Sequence, residues 1–248
     1  MQESNLYKYR FKMANLLVAL DLCDTLVKGN TTFIFLDHLL KNNSIFKIYR
    51  RLSRWFPFKV FFKVLSLVKF DANRKIAILF LKGIKKSVLQ KNANFLVQHT
   101  FVFDKEIVTL INYCNANNIP VYIVSASLDV IAEAVASKFG IHYISSCLDF
   151  NANVCTGTLK QDLLYTKEML FTEGSKKYSG VDLEQLVFVS DNVQDISLLK
   201  KARFGFGFYT DKNFSKFTSN QIIKFEAANV VATISNYQDN LFNNEKTQ

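Results

Sequence analysis

The chain has 248 residues, 49% of them hydrophobic and 14% aromatic, with eight glycines and only two prolines, Pro57 and Pro120. This composition excludes a disordered, collagenous or low-complexity protein and is enough for one large core, or a core plus a smaller domain. The net charge of +10 is uneven: residues 30–100 carry 14 Lys and Arg against Asp37 and Asp71, while the rest carries 17 basic and 19 acidic residues.

Such a basic segment calls for an anionic partner, whether a phosphorylated substrate, an anionic lipid or a nucleic acid. No RNA-recognition, zinc-finger or helix-turn-helix signature accompanies it, which argues against nucleic acid. No uncharged apolar run reaches the roughly 18 residues of a membrane span. Cysteines 23, 114, 147 and 155 form no CxxC pair and no metal spacing with His38, His99 or His142; Cys114, Cys147 and Cys155 read as reduced thiols of a cytoplasmic protein.

In chain order, MQESNLYKYRFKM is charged, and the apolar run behind it is too short for a secretory signal. LLVAL (16–20) reads as a buried strand that surfaces at Asp21, Cys23 and Asp24. From 30 to 115 the rhythm is helical: FIFLDHLL, IFKIYRRLSRWF, FKVFFKVLSLVKF, KIAILFLKGI and VLQKNANFLVQ follow one another with no convincing strand. VYIV (121–124) is the next strand and runs into Ser125-Ala126-Ser127. LDVIAEAVASKFG (128–140) has helical spacing and ends in Lys and Gly, as helices tend to. HYISS (142–146) is a third strand, NANVCTGT (151–158) a hairpin turn before a helix carrying Lys167, and LVFV (186–189) a fourth strand, ending at Ser190-Asp191.

Strands alternating with helices predict an α/β fold, a Rossmann-like parallel sheet covered on both faces, with an inserted all-α unit. The expected division is a core of 1–29 and 116–248 with a helical cap at 30–115. Ligands of such sheets gather at the carboxyl ends of strands, and the candidate site collects Asp21, Ser125, Lys167 and the pair Asp191/Asp195. Carboxylates at adjacent strand ends repel unless a cation lies between them, and hard oxygen donors without a His or Cys cluster favour Mg²⁺ over zinc. A carboxylate beside Mg²⁺, a hydroxyl and a lysine suits phosphoryl transfer.

This arrangement resembles the haloacid dehalogenase superfamily of phosphohydrolases. Asp21-Leu22-Cys23-Asp24-Thr25 is similar to its first motif, acid-x-acid-x-Thr, Ser125 to its second, Lys167 (with Lys160 as runner-up) to its third, and the pair Asp191 and Asp195 to its fourth. The four occur in order, and the insertion and the hairpin resemble the phosphoserine-phosphatase-like branch, subfamily IB, with its helical C1-type cap. The resemblance implies that Asp21 forms an aspartyl-phosphate. It implies that Mg²⁺ is held by Asp21, the Cys23 carbonyl and Asp191, that Asp195 supports Lys167 or a metal-bound water, and that Thr25, Ser125, Ala126 and Lys167 contact substrate.

Two departures stand out. Cys23 occupies the position where phosphatases of the family carry a second Asp, and Asp24, one residue later, is expected on the opposite face. A thiol can donate a proton but is a poor base; losing acid–base help costs about 10²–10⁴-fold. The expectation is a slow phosphatase, or a disabled scaffold that binds a phosphorylated ligand. Asn30 stands nine residues after Asp21, where phosphoserine phosphatases place a glutamate that reads the substrate amine, which counts against phosphoserine. The cap is similar to those of phosphatidylglycerophosphate phosphatases of the branch. In WFPFKVFFKVLSLVKF, Lys59, Lys63, Ser66 and Phe70 form a narrow stripe beside a wide apolar face, with Arg50, Arg51, Arg54 and Trp55 preceding it. Such a helix lies in an anionic membrane surface or packs inside the cap. The expected partner is a small phosphorylated metabolite, such as a sugar or polyol phosphate, or a lipid phosphate met at the inner face of the membrane.

Overall fold

The computed structural model describes residues 16–67, 70–171 and 183–245; the opening MQESNLYKYRFKM lies outside them. Strand β1 (Leu17–Leu20) alternates as a doubly covered strand must: Leu16, Val18 and Leu20 enter one core, Leu17 and Ala19 the other. The other strands are β2 (Val121–Leu128), β3 (His142–Asn151), β4 (Val154–Gln161), β5 (Leu186–Ser190), β6 (Phe204–Gly207) and β7 (Ile223–Lys224). They form a seven-stranded sheet in the order β4-β3-β2-β1-β5-β6-β7, parallel except where β4 returns along β3. The α/β Rossmann-like expectation therefore holds.

Three of these strands are additions to the sequence reading. NANVCTGT is not merely a turn: Ala152 and Asn153, at φ +46° and +65°, make the tight turn, and β4 follows directly. The FGFG of β6 is glycine-rich because a Cβ at Gly205 would lie 1.8 Å from the Leu199 carbonyl oxygen of α8 (Ile196–Lys201). β7 is two residues long, too short for any periodic signal.

Between β1 and β2 run α1 (Thr31–Leu39), α2 (Ser44–Arg54), α3 (Phe56–Leu67), α4 (Ala72–Leu79), α5 (Lys86–His99) and α6 (Lys105–Ala116). Asn30, Asn43, Asp71 and Asp104 each accept a backbone N–H in the first turn that follows, and so start α1, α2, α4 and α6. α1 and α5 lie against α7 (Asp129–Phe139), α4 against β4, and α6 against β2 and α10 (Ala227–Glu245). Gly140 ends α7 at φ +65°. No described helix is long and apolar enough to cross a membrane.

Candidate active site

β1 is the centre of the sheet, with β2 on one side and β5 on the other. The chain leaves β1 toward opposite sides through its two neighbours, and at such a switch point the loops beyond the strand ends part to leave a crevice. Asp21 begins that crevice. Its N–H donates to the Val189 carbonyl at 2.9 Å, and its Oδ1 accepts the Leu22 N–H at 2.7 Å. The residue is buried, on the same sheet face as Leu17 and Ala19.

Lys167 reaches Asp21 from that face. The sequence suggests an α-helix carrying this lysine; the structure has a single 3₁₀ turn, Lys167–Leu170, with Lys167 only 4% exposed. Its partners Leu163, Leu170 and Phe171 enter the core beneath the site and draw the turn inward. The Lys167 ammonium lies 3.0 Å from Asp21 Oδ2 and 2.8 Å from Asp195 Oδ2. Burial alone would lower its pKa, but the two carboxylates outweigh burial and hold the lysine charged. Lys160, the alternative, is exposed on β4.

Asp195 stands at the N-cap position of α8, yet its side chain makes no cap bond. It accepts instead from Lys167 and, at 2.7 Å, from the Ser190 hydroxyl. Asp191, one residue past β5, is tied to the motif loop: its N–H donates to Thr25 Oγ1 at 2.9 Å, and the Thr25 hydroxyl donates to Asp191 Oδ1 at 3.2 Å. Burial, then the charges of Asp21 and Asp24, push the Asp191 carboxyl up to about 7. Asp24 takes a left-handed backbone, φ +53°, and turns its carboxylate to the Gly29 N–H at 2.7 Å, closing the loop.

On the β2 side, Ser125 is buried and its Oγ accepts the Ser127 N–H at 3.2 Å. Ser127 and Cys23 meet at Thr31, the first residue of α1: the Thr31 hydroxyl is 2.6 Å from Ser127 Oγ and 3.1 Å from Cys23 Sγ. Burial and then the Asp21 charge push the Cys23 thiol up to about 11, so it is a neutral thiol at pH 7. Asn30 is exposed and spends its side-chain oxygen on the Phe33 N–H. Thr31 and Arg74 of α4, which donates to the Ala126 carbonyl, escaped the sequence reading. Thr31 alone had a local signal, the turn GN before a helix start.

Among the described residues no three His, Cys, Asp or Glu side chains form a ready metal cage. The donor set still fits Mg²⁺, which keeps several waters and is bound through one or two carboxylates plus substrate phosphate. Asp21 and Asp191 would be those carboxylates; the Asp21 charge is, after burial, the next cause of the upward shift of Asp191, and a cation between them would relieve that part.

The model of the haloacid dehalogenase-like hydrolase family matches residues 18–200. The chain belongs to that family. As a haloacid dehalogenase-like hydrolase it shares its fold with solved structures of low sequence identity. A hydrolase of the family from Salmonella enterica serovar Typhi is 15% identical at a TM-score of 0.58, covering 82% of this chain and 65% of its own, so this chain spans about two thirds of that protein. A phospho-aspartyl intermediate analogue of phosphoserine phosphatase is 19% identical at 0.55, covering 81% and 90%. Cytosolic 5'-nucleotidase IIIB bound to cytidine is 15% identical at 0.60, covering 92% and 87%. No curated protein matches the chain in sequence.

Proposed function

We propose that this haloacid dehalogenase-like hydrolase is a Mg²⁺-dependent phosphomonoester phosphatase acting through Asp21. The observation that carries the reading is the buried Asp21–Lys167–Asp195 row at the central strand end. The Asp21 carboxylate is held at both oxygens, by the Leu22 N–H and by Lys167, so it meets phosphorus in a fixed orientation. Attack forms an Asp21–phosphorus bond and breaks the bond to the leaving oxygen, which takes a proton from the Cys23 thiol or from water. A water then attacks the aspartyl-phosphate and breaks its bond to Asp21; the water's proton goes to the Cys23 thiolate or stays on the released phosphate, restoring the site. Lys167 and the Ser125 hydroxyl stabilise the phosphoryl oxygens, and Asp195 with Ser190 keeps Lys167 in place. Mg²⁺, held by Asp21, Asp191 and the Cys23 carbonyl, supplies charge neutralisation for the phosphate.

The likeness in fold to a phosphatase and a nucleotidase supports a phosphomonoester. With Asn30 engaged in capping α1, the reading favours a small sugar or polyol phosphate over phosphoserine. We keep 30–115 as a cap over the site and a cytoplasmic setting, supported by four free thiols. The test is Mg²⁺-dependent release of phosphate from p-nitrophenyl phosphate by the wild type and its loss in Asp21→Asn. Release that persists in Asp21→Asn removes the nucleophile; a wild type inactive on a panel of phosphomonoesters leaves the scaffold reading.

A second reading, a lipid phosphate met at a membrane, rests on α2 and α3. Packing inside the insertion would hide their apolar residues. Instead Ile45, Ile48 and Leu52 line an exposed stripe of α2, Trp55 stands exposed between the helices, and Phe56, Val60, Phe61 and Val64 are exposed along α3, with Ile45 71% and Phe56 76% exposed. No acid lies between Asp37 and Asp71. An apolar surface flanked mainly by cations, of which Arg50 and Arg54 are paired with Asp37, suits a bilayer with anionic headgroups.

A further inference from the structure

Strand β2 breaks its pairing with β3 just where the site lies: Ser125 pairs with Ser145 and Leu128 with Ser146, leaving Ala126 and Ser127 as a bulge. A carbonyl taken out of a ladder needs another donor, because leaving it buried and unpaired is costly. For Ala126 that donor is Arg74 Nη2, from α4, 52 residues away in sequence. The arginine is itself 5% exposed, and its Nη1 lies 2.6 Å from Asp162 Oδ1. Asp162 is held in turn by the Leu164 N–H at 3.0 Å. The guanidinium is therefore neutralised and fixed in direction, with one arm on the Asp162 carboxylate and the other on the bulge.

The peptide unit that Arg74 grips by its carbonyl, Ala126–Ser127, is the same unit whose N–H donates to Ser125 Oγ. A peptide is planar, so fixing the oxygen fixes the N–H. Because Ser125 Oγ accepts that N–H, its own proton is directed elsewhere, toward an incoming oxygen. We propose that Arg74 is a positioning residue for the phosphate subsite: through the Ala126–Ser127 peptide it sets the direction in which the Ser125 hydroxyl donates. The proposal rests on the reading of Ser125 as a phosphate-binding group. It gives the helical insertion a role in building the site, not only in covering it.

The experiment is a double-mutant cycle on binding of inorganic phosphate in the presence of Mg²⁺, measured by calorimetry on the full chain. Arg74→Ala is expected to weaken phosphate about tenfold or more. In a Ser125→Ala background the same change is expected to cost less than about threefold, because the group it orients is gone. Arg74→Lys keeps a charge for Asp162 but loses the two-armed grip, and gives a smaller loss with the same non-additivity; it carries the cycle if Arg74→Ala does not fold. Additive losses, or wild-type affinity in either Arg74 variant, overturn the positioning role while leaving the phosphatase reading standing. A wild type that binds no phosphate removes both.

Discussion

Asp21 and Lys167 stand 146 positions apart in the sequence and 3.0 Å apart in the fold, each about 95% buried. A buried ion pair of this kind is weak evidence for stability, since desolvation offsets most of the attraction, but breaking it leaves a charge stranded. Lys167→Met leaves Asp21 and Asp195 facing each other. It is expected to abolish phosphate release and to cost about 3 kcal/mol of stability without metal. Adding Asp195→Asn is expected to restore part of the stability and none of the activity. Denaturant melts beside phosphatase assays check both.

On the proposed mechanism, Cys23 is expected to limit the rate. Cys23→Asp is expected to raise turnover by about 10²-fold on an alkyl phosphate such as glycerol phosphate. The gain should be much smaller on p-nitrophenyl phosphate, whose leaving group needs little protonation. Unchanged or lower turnover on both substrates would show that Cys23 is no handicapped acid. Since burial and Asp21 hold the thiol near 11, Cys23 is also expected to resist iodoacetamide at pH 7.5.

Thr25 joins the first motif to the last through two hydrogen bonds with Asp191. Thr25→Val keeps the shape and removes both. We expect kcat/KM to fall about ten- to a hundredfold, with a higher Mg²⁺ concentration needed for half-maximal rate. A metal titration of the variant checks this.

Tyr49 reports on the insertion independently of catalysis. Its hydroxyl donates to the Asn73 carbonyl at 2.6 Å, and burial pushes it up to about 12 from an ordinary 10. The folded state therefore holds the proton more tightly than the unfolded chain. That contribution is complete below about pH 10 and is lost as pH rises toward 12. Melting temperature is expected to fall across this window, and less steeply in Tyr49→Phe.

The α2–α3 face makes a separate claim. The protein is expected to co-sediment with vesicles of phosphatidylglycerol and phosphatidylcholine, and less with phosphatidylcholine alone. Lys59→Glu with Lys63→Glu should abolish binding, as should Phe56→Ser with Phe61→Ser. Equal binding to neutral vesicles removes the electrostatic part of this reading; self-association without vesicles replaces the bilayer by a second copy.

Much of the site was legible in the sequence because its acids and hydroxyl follow apolar strands directly. LLVAL sets the register of Asp21, and LVFV that of Asp191, because parallel strands side by side bring their carboxyl ends together. The parallel sheet and the helical insertion were readable for the same reason, namely that periodicity is a local property. Tertiary structure decided the rest. Whether Lys167 was solvated or buried depended on Leu163, Leu170 and Phe171 drawing a short 3₁₀ turn into the core. Thr31 and Arg74 met the β2 bulge only when the insertion folded back onto it. The apolar stripes of α2 and α3 spell the same helices whether they face a core or solvent; only the packing of the insertion left them outward. Sequence patterns fix which groups an element carries, but a contact across more than 50 residues exists only once the intervening elements have packed.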